Sequence, residues 1–537
     1  MKLYKCIQRI SLIVFSVILV GGILTNRSQI MRIDTLWMIS GTLFACAFVI
    51  ASYLIYIKII EKKDISKKKE VIFIILISLI FIFILSVIGF CLMSDGTGKN
   101  DWDLKIIHDY VYSYANNIEP LHESRNYIKT YSNCNGAIFL LFPIYKIFAI
   151  IGIKNKLLPG IIFNIICIYI SLLCIYFIIK KLYDTKKALF MFTSSILLIS
   201  VFLYAPIFYT DTLSMPFIML QILIYVHNKD KIKKSFIFFP LLAAIGFIVK
   251  PTTIFITIAI GLDLIISGKK NIKYLIMCIS EFLIIWLIYA NLIVSFLFPT
   301  NAENKTPFNH FLMMGLYERP KAEYEEGEND HNVYGAFTYE DVIYTNFGTL
   351  DKDSVILPYG KYMKEVYGDY YHYTLLTFSN ISYKDKMALN FDMIKSRLSE
   401  YNVFTYIRFL YNKTIQTWAD GSFYVSAKLS RGCIYENILG ELFRVHGKYF
   451  EVYYYISHFI YMAILFLIVI GGYSDIKKGD NKKIFIKVSL LFLFILLLFW
   501  ETRSRYILNY VPALYLLAMP GYEKIKEVFY DKKIIKK

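Results

Sequence analysis

The chain is built from long runs of Ile, Leu and Phe, separated by short clusters of lysine. Each run is close to the ~20 residues that cross a hydrocarbon core. A chain of 537 residues folding in water needs no such repetition. Its hydrophobic share is 57%, against roughly 45–50% apolar in ordinary globular domains. The runs therefore point to a bilayer as the solvent. A formal charge of +18 alone would suit a nucleic-acid binder. Its placement argues against one, because most lysines lie in short clusters between apolar runs, which is the positive-inside pattern.

About twelve spans are expected, at 10–25, 34–57, 71–93, 157–179, 188–208, 212–226, 235–249, 251–267, 274–298, 452–472, 484–500 and 506–520. Lysine clusters follow the second span (Lys62, Lys63, Lys67, Lys68, Lys69), the fourth (Lys180, Lys181, Lys186, Lys187) and the sixth (Lys229, Lys231, Lys233, Lys234). Others follow the eighth (Lys269, Lys270, Lys273) and the tenth (Lys477, Lys478, Lys482, Lys483), and the tail ends in Lys532, Lys533, Lys536 and Lys537. All can be cytoplasmic at once if both termini are inside. The expected location is thus the cell membrane, multi-pass, with the polar chemistry extracytoplasmic.

That topology demotes one apolar stretch. Residues 137–152 look like a span, but crossing there would invert every later lysine cluster. Pro143 and Lys146 also interrupt the run. It is expected to lie as a helix in the outer interface. The organisation that follows is an added N-terminal helix pair (1–60), a transmembrane core (61–298) with a first external loop (94–156), a second external segment (299–451), and C-terminal spans with a basic tail (452–537). Asn26, Arg27 and Ser28 follow the first run in place of a small-residue cleavage site, so it reads as a retained span. The eight cysteines show no CxxC and no metal spacing. Cys46, Cys167, Cys174 and Cys278 sit in apolar runs as small hydrophobes. Cys134 and Cys433 fall in external loops, where a disulfide is open to them.

The polar residues that hydropathy does not explain all fall outside. In SDGTGKNDWDLKIIHDY, Asp95, Asp101, Asp103, His108 and Asp109 crowd one loop. Asp103, Ile107 and Tyr110 fit one face of a helix starting near Asp101. A carboxylate there suits a general base; the plainer reading is that Asp101 caps the helix. In FYTDTLSMPF, Asp211 stands at an otherwise apolar outer turn. A carboxylate at membrane depth is costly, although it could simply cap the next span. In FIVKPTTIF, Lys250 is the single charge between two apolar runs, and Pro251 breaks the helix. Lys250 either snorkels to headgroups or meets a fixed anion, of which phosphate is the obvious one. In FWETRSRYILNYVP, Arg503 and Arg505 suit a bidentate grip on phosphate, and Glu501 either orients one of them or joins the acid–base work. Lipid phosphates would satisfy the same arginines.

Weaker signals lie in the second external segment: NHFLMMGL with His310 and Gly315, and TWADGSFY with Trp418, Asp420 and Gly421. They read as ordered pieces of the loop, the second as interface anchoring plus a turn. Asn304, Asn380 and Asn412 each open an N-x-S/T pattern, but the Lys- and Ile-rich composition argues against glycan attachment. Carboxylates on two outer loops and cations on two others suit transfer from a phosphate-linked donor. The base takes the acceptor's proton and the cations stabilise the leaving phosphate.

This pattern resembles the GT-C superfamily of membrane glycosyltransferases, in particular the protein-mannosyltransferase-like branch of bacterial membranes. The resemblance rests on Asp101 and Asp103 ahead of YIKTYSNCNGAIFLLFPIYKIF, on YTDTLSMP two spans later, and on ETRSRY opening the last span. It covers residues 71–298 best and 484–520 less fully. HFLMMGL and TWADGSFY are also similar to segments of membrane glycosyltransferases of Gram-positive bacteria. The resemblance implies an all-α polytopic fold, a site at the outer face and a polyprenyl-phosphate sugar donor. It implies Asp103 as catalytic base with Asp101 beside it, Asp211 as the second acidic position, and Lys250, Arg503 and Arg505 on the donor phosphate. It leaves a divalent metal open, since only some relatives use one. The sequence departs from the family in the extra residues 1–60 and in lacking an Asp-Glu pair in the first loop, which puts a protein acceptor in question beside a cell-wall polymer or a glycolipid.

Two other classes compete. A transporter or flippase for a lipid-linked glycan has a similar number of spans, but tends to place charges and broken helices near the midplane. An O-antigen-type polymerase or ligase carries a large outer loop but relies on Arg and His more than on Asp. No cytoplasmic segment is long enough to fold into a signalling domain.

Overall fold

The computed structural model describes residues 2–60, 63, 65–92, 102–229, 234–267, 272–298, 306–319, 333–335, 383–432 and 437–534. The fold is all-α and polytopic. The described strands are Glu318–Arg319 and Val333–Tyr334, which pair antiparallel. Among the described residues, seven helical runs are long and apolar enough to cross a membrane. Each of the twelve expected spans is matched by helix, continuous or broken. Spans one to four are Lys2–Leu24, Thr35–Ile60, Lys67–Cys91 and Leu158–Leu182. Span nine runs through a π-helical turn at Tyr289–Ile293, and span ten is Phe450–Lys478.

Local chemistry sets the helix ends. The Ser66 side chain accepts from the Lys69 amide and starts the third span. Asp184 does the same for Thr185–Ser194 through Lys187, and Asn402 forms a capping box with Thr405 at Val403–Trp418. Each satisfies an amide that the first helical turn leaves unpaired. Gly479, at φ 67°, closes span ten in the left-handed conformation that glycine adopts without strain. Span five is not continuous: Thr185–Ser194 gives way to a 3₁₀ turn at Ser195–Leu197 before Ile199–Leu203. There Ser194 and Ser195 return hydroxyl bonds to Phe190 and Phe192 carbonyls.

The lysine clusters that the structure describes share one end of the bundle. Lys180 pairs with Glu70, Lys187 with Glu523, Lys229 with Asp263, and Lys483 with Asp480. Tyr4 reaches the same Asp263, and Gln8 reaches Asp480 at the end of span ten. The first two spans pack on span ten, where a Cβ on Gly22 would stand 2.8 Å from Met462. At the opposite end, Arg27 donates to Tyr334 and Tyr454 to the Met31 carbonyl.

The helix Asn135–Ile150 is apolar enough to cross, yet its neighbours hold it at that opposite end. A Cβ on Gly136 would stand 1.9 Å from the Ile248 carbonyl oxygen, at the end of span seven beside Lys250. Lys146 donates to the Ala115 carbonyl at 2.8 Å, and Tyr145 to the Lys156 carbonyl at the start of span four. Both ends of the helix therefore pack at that end of the bundle.

Candidate functional site

Three turns at the loop end converge. The first is Tyr209–Ser214, a single helical turn at Thr210–Leu213 leading into a helix with Pro216 in its first turn. The second is Lys250, whose φ of −152° and ψ of 113° are extended. The residue before a proline is pushed from the helical region by the ring, so Pro251 holds Lys250 out of both flanking helices. The third is the segment from Trp500 to Arg503, extended at both ends, opening the 3₁₀ helix Ser504–Tyr510.

Lys250 Nζ lies 2.5 Å from Asp211 Oδ1. Arg505 lies 3.7 Å from Asp211 Oδ2. All three side chains are largely buried, at 11%, 4% and 12% exposure. The Arg505 guanidinium also covers the rings of Tyr209 and Tyr506, and Lys250 lies 3.5 Å from the Tyr506 carbonyl. Asn509 completes the polar wall, donating to Ser214 at 3.2 Å and to Thr252 at 3.4 Å. Charges this far from water persist when paired. Two cations share one carboxylate here.

Arg503 takes a different partner. It donates to the Tyr424 hydroxyl and stacks on that ring. Glu501 accepts from Tyr506 Oη at 2.8 Å, and its amide donates to the Phe311 carbonyl at 2.7 Å. Of the residues singled out in the sequence, the structure thus joins Asp211, Lys250 and Arg505 directly. It reaches Glu501 through Tyr506, and turns Arg503 toward the second external segment.

The segment between spans three and four docks beside this cluster. His108, on the helix Trp102–Ala115, stacks on Phe208 at 3.6 Å. Burial pushes its imidazole down to about 3, so it is a neutral packing plate and not a proton carrier near neutral pH. Tyr110 and Tyr114 donate to the Leu297 and Phe296 carbonyls at the end of span nine. Asp103 is the second residue of that helix and shares the register of buried Ile107 and of Tyr110. Asp95, Asp101, Asn304, Asn380 and Cys433 lie outside the described residues, as does the Asp103 side chain. Cys134 Sγ lies 3.2 Å from Tyr209 Oη. Among the described residues no three His, Cys, Asp or Glu side chains converge as a metal site.

The sequence underrated the segment between spans nine and ten. Gly315 packs where a Cβ would stand 2.1 Å from the Phe499 carbonyl, and Gly421 where one would stand 2.5 Å from the Ser457 carbonyl. HFLMMGL and TWADGSFY therefore clasp the ends of spans eleven and ten. Asp420 accepts from the Ser422 amide (2.9 Å), the Ser422 hydroxyl (2.6 Å) and the Ser504 hydroxyl (2.6 Å), and lies 3.2 Å from His458 Nε2. Burial alone would raise this carboxyl; the bonds and charge of His458, with those from the two serines, hold it below the usual range. Lys413, fully buried, donates to the Gly315 carbonyl at 2.6 Å and the Leu498 carbonyl at 3.0 Å. Burial pulls its amine down to about 7, opposed by the charge of Glu501. A lone histidine within an apolar span and a lysine within an N-x-T triplet carry no sequence signal of such contacts.

Residues 139–295 match the family model described as dolichyl-phosphate-mannose-protein mannosyltransferase. The match supports a membrane glycosyltransferase of GT-C type. It takes in most of the helix Asn135–Ile150, Asp211 and Lys250, and stops short of Asp101, Asp103 and the Glu501–Arg505 turn. Residues 366–525 match a second model, described as conserved hypothetical integral membrane protein. That segment holds TWADGSFY and ETRSRY, so the two matches meet at the Asp211–Arg505 contact. No curated protein and no solved structure matches the chain.

Proposed function

We propose that the chain transfers a hexose from a polyprenyl-phosphate donor to an extracytoplasmic acceptor, at a site on the outer face of the cell membrane with both termini cytoplasmic. What supports this reading most is the meeting of Asp211, Lys250 and Arg505 from three separate turns, two of them inside the mannosyltransferase match. A polyprenyl-phosphate sugar carries a single negative charge on its phosphodiester, which cations at this contact suit.

An acceptor hydroxyl attacks the anomeric carbon and gives its proton to Asp103, or to Asp101 two residues before it. The bond from that carbon to the phosphate oxygen breaks, and polyprenyl phosphate leaves with one more negative charge. Lys250 and Arg505 face that added charge, which makes them stronger partners of the transition state than of the ground state. Asp211 keeps the two cations in place without the donor. Glu501, through Tyr506, anchors the turn that carries the arginines. The acceptor class, whether cell-wall polymer, glycolipid or protein, is the open part of the reading.

The test is sugar transfer in membranes supplied with a radiolabelled polyprenyl-phosphate sugar, comparing wild type with Lys250→Ala and Arg505→Ala at matched protein levels. Label entering an acceptor fraction with wild type, and lost with both variants, supports the reading. Equal labelling by all three removes the cluster from the site. No transfer by wild type from any donor moves the assignment toward a carrier of lipid-linked glycans.

A further inference from the structure

The helix Val403–Trp418 carries one stripe that the fold covers along half its length. Phe404, Ile407, Arg408, Tyr411 and Ile415 share a face by their i, i+3, i+4, i+7 spacing. The far half of the stripe packs on span one, where a Cβ on Gly21 would stand 2.2 Å from Ile415 Cδ1 and 2.8 Å from Tyr411 Oη. The near half is open: Phe404 is 84% exposed and Ile407 59%, with Val403 and Arg408 exposed beside them. The opposite face is buried. There Phe409 meets the rings of Tyr334 and Tyr401, and Lys413 holds the Gly315 and Leu498 carbonyls. The open half is not a frayed end. Asn402 accepts from the Phe404 and Thr405 amides at 3.0 Å, and Thr405 Oγ1 accepts from the Asn402 amide at 2.9 Å, so a capping box starts the helix ahead of any packing.

The contacts also fix how this helix lies. Ala419, just past its end, meets the next residue of span one, where a Cβ on Gly22 would stand 2.8 Å from Ala419 Cβ. From Ile415 to Ala419 a helix rises about 6 Å, and from Gly21 to Gly22 about 1.5 Å. Helices running side by side advance together, so this one crosses span one steeply and lies near the membrane plane. The crossing is one turn inside the end of span one at Leu24. The surface at that level is still apolar: Leu24 at the end of span one, and Leu36 and Trp37 at the start of span two, are exposed. Tryptophan is enriched where acyl chains meet headgroups.

We propose that residues 403–410 are an in-plane anchor whose open stripe enters the lipid leaflet at the loop end of the bundle. The occupant is phospholipid. The stripe runs without a break from a face that packs on a membrane span, so the lipid that flanks span one also flanks Phe404 and Ile407. An interfacial helix sinks its apolar face about 5–10 Å into the boundary of headgroups and acyl chains, and Arg408 reaches back to the headgroup phosphates. An exposed apolar stripe of this kind marks a membrane or partner contact, and its continuity with the exposed ends of spans one and two selects the membrane. The same helix holds the arginine turn, since Thr417 Oγ1 lies 2.9 Å from Thr502 Oγ1, next to Arg503. The membrane surface is thereby a fixed reference for that turn.

The experiment places a nitroxide spin label on Phe404→Cys or on Ile407→Cys in the cysteine-free, full-length protein. The protein is held in nanodiscs of phosphatidylcholine and phosphatidylglycerol. Power saturation then compares collisions with oxygen, which concentrates among acyl chains, and with a water-soluble nickel chelate. Phe48→Cys, exposed midway along span two, sets the lipid value. Asp392→Cys, exposed on the helix Tyr383–Ser399, sets the water value. The anchor predicts that oxygen collisions exceed nickel collisions at both labels, as at Phe48. The reverse order at either label, as at Asp392, overturns it. Shielding from both agents overturns it too, because protein, from elsewhere in this chain or from a second copy, then covers the face. Should one labelled variant fail to fold, the other decides alone. The readout involves no turnover, so a chain that transfers no sugar still gives the answer. Sugar transfer with water-facing labels loses the anchor and keeps the enzyme reading.

Discussion

Asp211 and Lys250 are separated in sequence by two membrane spans, yet Asp211 Oδ1 and Lys250 Nζ lie 2.5 Å apart at 4% and 11% exposure. Removing one partner strands the other in a low-dielectric site. Asp211→Asn is expected to destabilise the protein by about 3–5 kcal/mol. Asp211→Asn with Lys250→Met should regain most of that loss and stay inactive. Melting of the purified proteins in detergent, read beside sugar transfer, separates stability from function. A double variant as unstable as the single one would show that the pair is not the unit.

Asp103→Asn is expected to lower transfer by about a hundred- to ten-thousandfold, the usual worth of a general base, with protein level and donor binding unchanged. If Asp101→Asn shows the loss and Asp103→Asn does not, the base is the earlier residue. If neither does, the first loop is not its source.

Lys413 tests burial through pH. Its amine falls from 10.5 in a solvated lysine to about 7 in the fold. The unfolded chain therefore holds the extra proton between those values, and stability rises with pH through that window. Lys413→Met has no proton to lose there. The rise in melting temperature between about pH 7 and about pH 10 should be smaller in Lys413→Met than in wild type. Parallel curves would mean that the lysine stays charged.

Gly136→Ala places a methyl group 1.9 Å from the Ile248 carbonyl. The interfacial helix must shift from the end of span seven, at a cost of about 1–3 kcal/mol. Because Lys250 follows that end directly, transfer is expected to fall before the bundle melts. Full activity in this variant would mean that the helix does not brace the site.

Sidedness has a direct test. In a cysteine-free background, single cysteines at Lys156 and Arg125 should react with a membrane-impermeant maleimide added to intact cells. Cysteines at Lys181 and Lys478 should react after lysis alone. The opposite pattern would put the site in the cytoplasm.

The fold was readable because charge and hydropathy act over whole segments. Twelve spans and the demotion of 137–152 are expectations drawn from where lysine can sit; each expected span is matched by helix, and Ser132–Ile150 is itself apolar enough to cross. The breaks inside span five were not readable, since Ser194 and Ser195 look like tolerated small polar residues until their hydroxyls meet Phe190 and Phe192. In the site, Lys250 asked for an anion, but the sequence does not choose between a ligand's phosphate and Asp211; three-dimensional proximity does. The Asp420–His458–Ser504 group joins residues from three distant segments, and no spacing encodes it.

The helix Asn135–Ile150 has a consequence for how this architecture can vary. In the proposed topology the chain makes two crossings between the first external loop and the Asp211 turn, and two more separate Asp211 from Lys250. Further pairs bring it to Arg503 and Arg505. Parity is thus what keeps the site whole. A pair of spans, such as the two in residues 1–60, can be gained or lost with every one of these residues still on one face. A single crossing cannot: had this apolar helix pierced the bilayer, the first-loop aspartates would be on the opposite face from the cations that follow.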